Sequence, residues 1–330
     1  MRGRQSDITR RELLLGGATA GTVVLAGCAS GDGSLGGGSA LGNETTPTAA
    51  GDGPVGVGRA LTDGASTMVV RSVERTTDVG GSSAREGWTY LVVDLAVKNE
   101  SESVVAFGGF VGGVVRDGSG ETYERSGATG DGGGALASDH LVPGEVVRGP
   151  LVYEVPADAE DLTLVFDLRG YDGFDHDRVE VDLDDRVARP AVLDQDLAVE
   201  VREPGSDVTR EGVTVAVEAV RTATGGVTAA PEGTEYVIPT LRVENRGDEP
   251  LVVSNDLQTA VKDGTGRAHE RALSATAALP EPFDDDAAVA PGDARRGELA
   301  YAVPTDAERV LFAFDVTALA PGAKEFWALR

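Results

Sequence analysis

The fold is decided by two related stretches, EGWTYLVVDLAVKN at Glu86–Asn99 and EGTEYVIPTLRVEN at Glu232–Asn245. Both begin with Glu-Gly, carry a tyrosine at the fifth position and end in asparagine. Between these points every second residue is apolar, and a period of two is typical of a strand with one face in a core. The repetition predicts two copies of one β domain. Because proline has no N–H to donate to a ladder, Pro239 predicts an edge strand or a local bulge in the second copy.

Further matched segments extend the repeat to most of the chain. Each is a short alternating strand or a turn rich in glycine and aspartate, and no ten-residue stretch in either copy shows a helical stripe. The DGSG and DGTG turns are typical of hairpins because glycine and aspartate tolerate positive φ. Many short strands separated by such turns predict a β-sandwich. The matched pairs are Val69–Thr76 with Val215–Thr222, Asp117–Gly120 with Asp263–Gly266, Pro143–Glu145 with Pro291–Asp293, Leu151–Pro156 with Leu299–Pro304 and Leu162–Leu168 with Val310–Val316.

The order of these features resembles an extracellular immunoglobulin-like family, domain of unknown function 4352, which is found on secreted proteins and lipoproteins of bacteria and archaea. The resemblance implies an all-β protein with two tandem immunoglobulin-like β-sandwich domains. It brings no agreed activity and therefore no catalytic residues. The residues that carry it are Tyr90, Asn99, Gly118, Gly120, Pro143, Gly144 and Pro156 in the first copy and Tyr236, Asn245, Gly264, Gly266, Pro291, Gly292 and Pro304 in the second.

Composition and repetition together divide the chain into five parts. Two of them are the repeated domains, and the other three are terminal or connecting segments. The expected order is a signal peptide with a lipobox at 1–27, a disordered linker rich in Gly, Ser and Thr at 28–54, the first immunoglobulin-like domain at 55–187, a short linker at 188–192 and the second domain at 193–330.

The first 27 residues have the pattern of an export signal. Arg10-Arg11 precedes Leu13-Leu14 and a short apolar run, as in leaders of the twin-arginine route. The run ends in Leu25-Ala26-Gly27-Cys28, which resembles a lipobox. Cleavage there would make Cys28 the mature N-terminus with lipid on its thiol, and two acyl chains suffice for a stable anchor. We therefore expect a protein anchored in the cell membrane through Cys28 and facing outward; a chance cysteine or an uncleaved anchor is the alternative.

Other covalent links are few. Cys28 is the only cysteine, so an intrachain disulfide is excluded and the domains must be held by their cores. Asn43 and Asn99 each begin an Asn-x-Ser/Thr triplet, which makes them candidate glycosylation sites.

The net charge of −26 is unusually acidic, and Lys98, Lys262 and Lys324 are the only lysines. Such a composition, on a chain with 41% hydrophobic residues, is typical of proteins adapted to very high salt, such as those of haloarchaea. Counterions there screen the self-repulsion. Binding of cations or of a basic partner is the alternative. The sequence has no basic face to neutralise phosphates, so we expect no nucleic-acid partner.

No motif typical of an enzyme is present in the sequence. His140, His176 and His269 are scattered, and GxSxG, HExxH and phosphate-loop patterns are missing. We expect no catalytic residues, no cofactor and no metal site. The acidic segment Asp172–Asp185 and the cluster Asp284–Asp286 are candidates for calcium, but their spacing follows no known calcium loop, and we interpret them as solvated acidic edges.

Two loops differ most between the copies, Ser126–His140 and Ser274–Val289, and the end loops of sandwiches often carry recognition. Phe107 and Phe110 mark another difference and are either partner contacts or packed under a loop. We expect a non-enzymatic binding or adhesion protein, or an accessory of an envelope or transport complex. A structural envelope spacer without a ligand is the alternative, and an enzyme of unrecognised type is a weaker one. The oligomeric state is left open by the sequence.

Overall fold

A computed structural model describes residues 48–49, 53–106, 113–128, 140–169, 171, 173–225, 228–284, 288–316 and 324–330. Residues from Glu44 to Arg330 belong to one compact unit. The described residues form 24 strands and two helices of four and five residues. The predicted fold class, all-β with two tandem immunoglobulin-like sandwiches, is therefore confirmed.

The first domain is a sandwich of two five-stranded sheets with two short two-stranded ladders. Its strands are β1 (Thr48–Ala49), β2 (Val55–Val57), β3 (Leu61–Asp63), β4 (Ser66–Thr76), β5 (Asp78–Val79), β6 (Ser82–Ser83), β7 (Trp88–Asn99), β8 (Val105–Ala106), β9 (Val114–Arg116), β10 (Thr122–Tyr123), β11 (His140–Leu141), β12 (Val146–Pro156), β13 (Thr163–Asp167) and β14 (Arg178–Arg186). One sheet has the order β1-β3-β4-β7-β12, the other β10-β9-β13-β14-β2, and the ladders are β5-β6 and β8-β11. The first of the two repeated stretches is β7, which pairs with β4 on one side and β12 on the other.

The second domain repeats this plan. Its elements are β15 (Val201–Arg202), β16 (Asp207–Arg210), β17 (Val213–Ala223), β18 (Thr234–Asn245), α1 (Asn255–Gln258), β19 (Thr259–Asp263), β20 (Ala268–His269), α2 (Leu273–Ala277), β21 (Ala294–Glu298), β22 (Tyr301–Pro304), β23 (Val310–Asp315) and β24 (Lys324–Ala328). One sheet has the order β16-β17-β18-β21, with β22 also paired to β18, and the other has the order β15-β24-β23-β19-β20. The second repeated stretch, β18, lies at the centre of its sheet.

Each core lies between two sheets and is filled by the alternating apolar residues that the sequence pattern predicts. In the first domain the largest buried side chains include Tyr153 and Phe166, and in the second they include Phe312, Phe314 and Trp327. Trp327 is fully buried, and its indole N–H donates to the Ser206 carbonyl oxygen at 3.0 Å. A buried side chain of this kind stabilises the fold by about 1.5–3 kcal/mol.

The two DGxG segments form the predicted hairpins. Oδ1 of Asp117 accepts the Ser119 N–H at 2.9 Å, and Oδ1 of Asp263 accepts the Thr265 N–H at 2.8 Å. The Ser119 hydroxyl, helped by Tyr123, lowers the pKa of Asp117 to about 2. Both turns are therefore closed by an ionised aspartate that caps its own backbone.

A buried asparagine ends the central strand of each domain. Nδ2 of Asn99 donates to the carbonyl oxygens of Ser103 at 2.7 Å and Leu141 at 2.9 Å. Nδ2 of Asn245 donates to those of Glu249 at 2.7 Å and Val289 at 2.9 Å. The Asn99 side chain is fully buried and donates both its amide hydrogens, so glycosylation there, which stays a prediction, would require the side chain to leave this position.

The alignment of the first repeated strands is corrected by one residue. Thr76 pairs with Tyr90 in the first domain, whereas Ala223, not Thr222, pairs with the equivalent Tyr236 in the second. The loop that follows β17 is accordingly one residue shorter than the loop that follows β4. Matching by sequence missed this shift because both strands have an apolar-rich, weakly periodic pattern.

We predict that Asn99→Ala and Asn245→Ala each lower the free energy of unfolding by about 2–4 kcal/mol, because two buried carbonyl oxygens lose their donor. Differential scanning calorimetry of the two variants measures the loss. The control is Glu102→Ala, which changes an exposed side chain near Asn99 and should stay within about 0.5 kcal/mol of the unsubstituted protein. Equal stability of all three variants would contradict the role of the asparagines.

Candidate ligand cleft and domain junction

Pro239 lies in the middle of β18, a central strand, so the prediction of an edge strand is wrong and that of a local irregularity holds. On one side Pro239 pairs with Val220 of β17. On the other side the Leu299 N–H donates to the Pro239 carbonyl oxygen at 3.2 Å, but proline returns no N–H. The partner strand is split here into β21 and β22, whereas the equivalent strand β12 of the first domain is continuous.

The segment that contains α2 lies against this split. The Ala300 N–H donates to Thr276 Oγ1 at 3.0 Å, and the Ala300 carbonyl oxygen accepts the Ala272 N–H at 2.8 Å. Thr276 and Ala300 are both buried. The helix is therefore fixed to the edge strand by main-chain groups of Ala300.

A cleft of about 480 Å³ opens beside α2 on the outer face of the sheet. Its floor is formed by the buried residues Tyr236, Ile238 and Ala300, and one wall by Ala275 together with residues 278–280. Small-molecule sites usually measure about 300–1,000 Å³ and have a mainly apolar lining. The loop 274–289, predicted as a recognition loop, thus supplies a wall of a cavity of suitable size.

One end of the cleft is lined by charged side chains whose charges cancel. Arg221 and Glu298 form a two-bond ion pair with N–O distances of 2.9 and 3.2 Å. Arg296 binds Glu281, which also lines the cleft, and Glu218, whose Oε2 lies 2.8 Å from Arg296 Nε. The bond to Glu218 raises the pKa of Arg296 above its ordinary value. Two arginines and two glutamates line this end, so it carries no net charge.

The equivalent face of the first domain is covered. Val152 takes the position of Ala300 and packs with Tyr90 and with Val79 of the β5-β6 ladder, and all three side chains are buried. In the second domain the covering loop is shorter, and Gly225 lines the cleft instead of a packed side chain.

The two domains also differ at two further positions of this face, which hold an ion pair in the first domain. In the first domain Arg85 binds Glu154 at 3.0 Å and lies 3.8 Å above the Trp88 ring. The equivalent positions in the second domain are occupied by Pro231 and Ala302. The second domain therefore has uncharged side chains at the positions where the first domain has this ion pair.

The two domains meet at a buried carboxylate that sequence reasoning did not single out. Glu145 is fully buried, and its Oε1 lies 2.7 Å from Lys262 Nζ and 2.9 Å from Lys324 Nζ, both in the second domain. Lys262 also donates to the Val146 carbonyl oxygen at 2.6 Å, and Lys324 to that of His140 at 2.8 Å. Two of the three lysines in the chain thus form ion pairs with the same glutamate. The rarity of lysine in this acidic chain was the sequence feature that could have pointed to this cluster.

The carboxylate of Glu145 is held in its ionised form. Burial alone raises its pKa, but Lys262 and Lys324 outweigh burial and hold the pKa below its ordinary value of 4.5. For a buried ion pair the loss of hydration offsets most of the attraction. The cluster therefore fixes the relative position of the domains more than it adds to stability.

Main-chain contacts complete the junction. Gly266 has a φ of +80°, and a Cβ atom there would lie 2.5 Å from the Val146 carbonyl oxygen, so only glycine fits. The Arg148 N–H donates to the Gly266 carbonyl oxygen at 3.1 Å. The chain that connects the domains also takes part, because the Gln195 N–H donates to the Gly264 carbonyl oxygen at 2.8 Å.

Several predicted residues lie outside the described part of the chain. These are the export signal with Arg10 and Arg11, the lipidation residue Cys28, the candidate glycosylation residue Asn43, and Phe107, Phe110, Asp172, Asp285 and Asp286. Within the described ranges no helix is long and apolar enough to cross a membrane.

The histidines and acidic segments have structural partners. His176 Nδ1 lies 2.8 Å from Asp63 Oδ1, and His269 Nε2 lies 3.5 Å from Asp263 Oδ2. Oδ1 of Asp182 accepts the N–H groups of Asp184 at 2.9 Å and Asp185 at 3.2 Å. Among the residues that the structure describes, no three His, Cys, Asp or Glu side chains are grouped to hold a metal ion.

Comparison with known proteins identifies one family. The family model "Domain of unknown function (DUF4352)" matches residues 55–174 and 203–320. A search of the curated proteins gave no match.

Several solved structures are similar to parts of the chain. The yjhA protein of Bacillus subtilis is 22% identical, with 39% of this chain and 99% of that chain covered and a TM-score of 0.33. An uncharacterized β-sandwich protein of Clostridium difficile is 11% identical, with 40% and 95% covered and a TM-score of 0.28. A candidate lipoprotein of Bacillus subtilis, ycdA, is 10% identical, with 56% and 72% covered and a TM-score of 0.31.

We predict that Glu145→Gln destabilises the protein by about 3–5 kcal/mol, because two buried ammonium groups lose their counter-charge. Replacing the whole cluster, with Glu145→Leu, Lys262→Met and Lys324→Met together, should restore stability to at least the original value. Urea denaturation measures both. The matched control is Asp293→Asn, which changes the equivalent but exposed carboxylate of the second domain and should have little effect.

The same variants have an expected pH dependence. The folded protein holds the pKa of Glu145 below 4.5, so its contribution is present above that pH and is lost as the pH falls through the folded value. The triple variant should lose less stability in acid than the unsubstituted protein. A single variant, Glu145→Gln, with unchanged stability would contradict this account of the junction.

Proposed function

The chain belongs to the DUF4352 family, in two tandem copies, and we propose that it is a lipid-anchored, non-enzymatic cell-surface protein whose second domain binds a small uncharged amphipathic ligand. The observation that carries the proposal is the cleft beside α2, which is open in the second domain and covered in the first. A duplicated domain that has lost a covering valine over a buried tyrosine has gained a place for an apolar group.

The chemistry of the cleft selects the ligand class. Tyr236, Ile238 and Ala300 offer an apolar floor, which favours an aliphatic or aromatic body. Arg296 and Glu298 at the charged end offer N–H donors and carboxylate acceptors at once, which suits a polar group with both functions. The paired charges and the acidity of the whole chain disfavour an anion. An uncharged amphipathic molecule meets all three conditions.

The surface location is supported by the leader and by Cys28. A lipid on Cys28 would hold the protein at the membrane, and the part of the predicted linker that precedes β1, which itself pairs with β3 in the first sheet, would separate the domains from the bilayer. From that position the second domain presents its ligand site outside the cell, where an envelope or transport complex is the expected partner.

The ligand site is tested with N-phenyl-1-naphthylamine, a neutral aromatic probe whose fluorescence rises in apolar surroundings. We predict that the protein binds it and that Gly225→Phe weakens the binding at least about tenfold, since the new ring enters the cleft and about 1.4 kcal/mol corresponds to tenfold. A Cβ atom at Gly225 meets no atom within 4 Å, so the fold should tolerate the change. The control is Gly127→Phe, an equally open position in the first domain.

The sulfonated analogue, 8-anilinonaphthalene-1-sulfonate, tests the charge preference. It has the same ring system with one negative charge, and we expect it to bind more weakly than the neutral probe. Absence of binding by the neutral probe, or equal binding by both glycine variants, would contradict the site and favour a spacer without a ligand.

The lipid anchor is tested separately by Cys28→Ser expressed in the native host. We expect the unsubstituted protein to partition into the detergent phase and the variant into the aqueous phase, because the thiol that accepts the lipid is lost. Ser30→Ala, two residues further on, should partition like the unsubstituted protein. Aqueous partitioning of the protein with Cys28 intact would overturn the anchor and leave the cleft unaffected.

A further inference from the structure

A β-bulge lies at the same place in both domains but carries opposite charges. In β4 the extra residue is Arg71, between the residues that pair with Leu95 and Asp94. In β17 it is Glu218, between the residues that pair with Leu241 and Thr240. A bulge leaves its extra residue unpaired and re-aims its side chain. The same device therefore presents a cation in the first domain and an anion in the second.

The charge reversal changes the partner of a neighbouring arginine. In the second domain Glu218 accepts from Arg296 at 2.8 Å. The residue equivalent to Arg296 in the first domain is Arg148, which faces Arg71 and binds Asp94 instead, with N–O distances of 2.6 and 3.1 Å. The first domain thus has an additional cation where the second has an acceptor.

Arg71 has no replacement acceptor for its Nε and Nη1 atoms among the residues that the structure describes. Its Nε and Nη1 atoms are buried and have no hydrogen-bond partner among the described residues. Burial lowers the pKa of Arg71, and the nearby Arg148 adds to this effect. Buried N–H groups without an acceptor are costly, so a hydrogen-bond acceptor from outside the chain would relieve the Nε and Nη1 atoms of Arg71.

The charges around Arg71 leave an excess of one positive charge. Arg148, Arg267, Asp94 and Asp263 surround it, which gives three cations against two anions. Asp94 is engaged by Arg148 and lies 3.7 Å from Arg267 Nη2.

Asp263 is turned away from this group of arginines. Its Oδ1 accepts the N–H groups of its own turn, from Thr265 at 2.8 Å and Arg267 at 3.2 Å. Its Oδ2 faces His269 at 3.5 Å. Neither carboxylate therefore satisfies the buried nitrogens of Arg71.

We propose that a monovalent anion, chloride, binds to Arg71 within the arginine cluster formed with Arg148 and Arg267. One chloride cancels the excess charge and accepts the free N–H groups. Because Arg71 and Arg148 belong to the first domain and Arg267 to the second, the anion also links the two domains next to the Glu145 cluster. Chloride is small enough to reach the buried Nε and Nη1 atoms of Arg71.

The test compares the melting temperature of the full chain in sodium chloride and in sodium gluconate at equal concentration. Both salts give the same ionic strength, but gluconate is too large for the site. We expect the unsubstituted protein to melt about 2–4 °C higher in chloride. Arg71→Glu copies the residue of the second domain, supplies Arg148 with a carboxylate and should abolish the difference. Arg71→Gln, which removes the charge and shortens the side chain, should also abolish the difference and serves as the test if Arg71→Glu fails to fold.

The control and a second readout make the result decisive. Arg189→Glu, an exposed charge reversal outside the cluster, should keep the preference for chloride. Crystals soaked in bromide should show an anomalous peak beside Arg71 Nε that is missing in Arg71→Gln. An equal chloride preference in the Arg71 variants would overturn the proposal. A bromide peak without any chloride preference in solution would mean an adventitious ion only and would overturn it as well.

Discussion

A buried asparagine amide closes the same hydrogen-bonded frame in both domains, and the rest of the structure depends on that frame. The side-chain amides of Asn99 and Asn245 each donate to one carbonyl oxygen in the next loop. Each also donates to a second carbonyl oxygen, which lies shortly before the neighbouring strand of the same sheet, β12 or β21. A buried donor of this kind must keep both acceptors, because an unsatisfied polar group in a core is expensive. The loops between these fixed points can therefore differ in sequence while the sheets retain one plan.

With the frame fixed, the domains have diverged by single side chains at equivalent positions. Ala300 in place of Val152 lies at the floor of the cleft, and Pro239 in place of Val93 lies where the partner strand splits into β21 and β22. Glu145 is buried at the junction, whereas its equivalent Asp293 is exposed. Each difference changes local volume or charge without changing the order of strands. An open cleft, a junction between domains and a charged cluster are thus placed on one repeated scaffold.

The sequence predicted the strands, hairpins and tandem arrangement because these follow from short-range patterns: alternation in β7 and β18 and aspartate-glycine turns at Asp117 and Asp263. For Pro239 the local irregularity was predicted correctly and the edge strand was not, because a central strand tolerates one missing donor when its partner strand splits. The triplet at Asn99 fits a glycosylation site, and the burial of its side chain is a feature that the triplet itself does not report. Glu145 and its lysines were missed because they join segments more than 100 residues apart, which no local pattern reports. The apolar pattern of β4 and β17 likewise concealed the one-residue shift in their alignment. Because of this shift, Arg71 of the first domain is equivalent to Glu218 of the second.

The central claim, that divergence of the second domain has produced a ligand site, is tested most directly by a crystal structure of the protein with N-phenyl-1-naphthylamine. The account predicts one probe molecule in the second domain, with its rings on Tyr236, Ile238 and Ala300 and its amine toward Glu298. The equivalent face of the first domain, covered by Val79 and Val152, should remain free of the probe. A probe bound to both domains alike, or only outside the cleft, would contradict the claim.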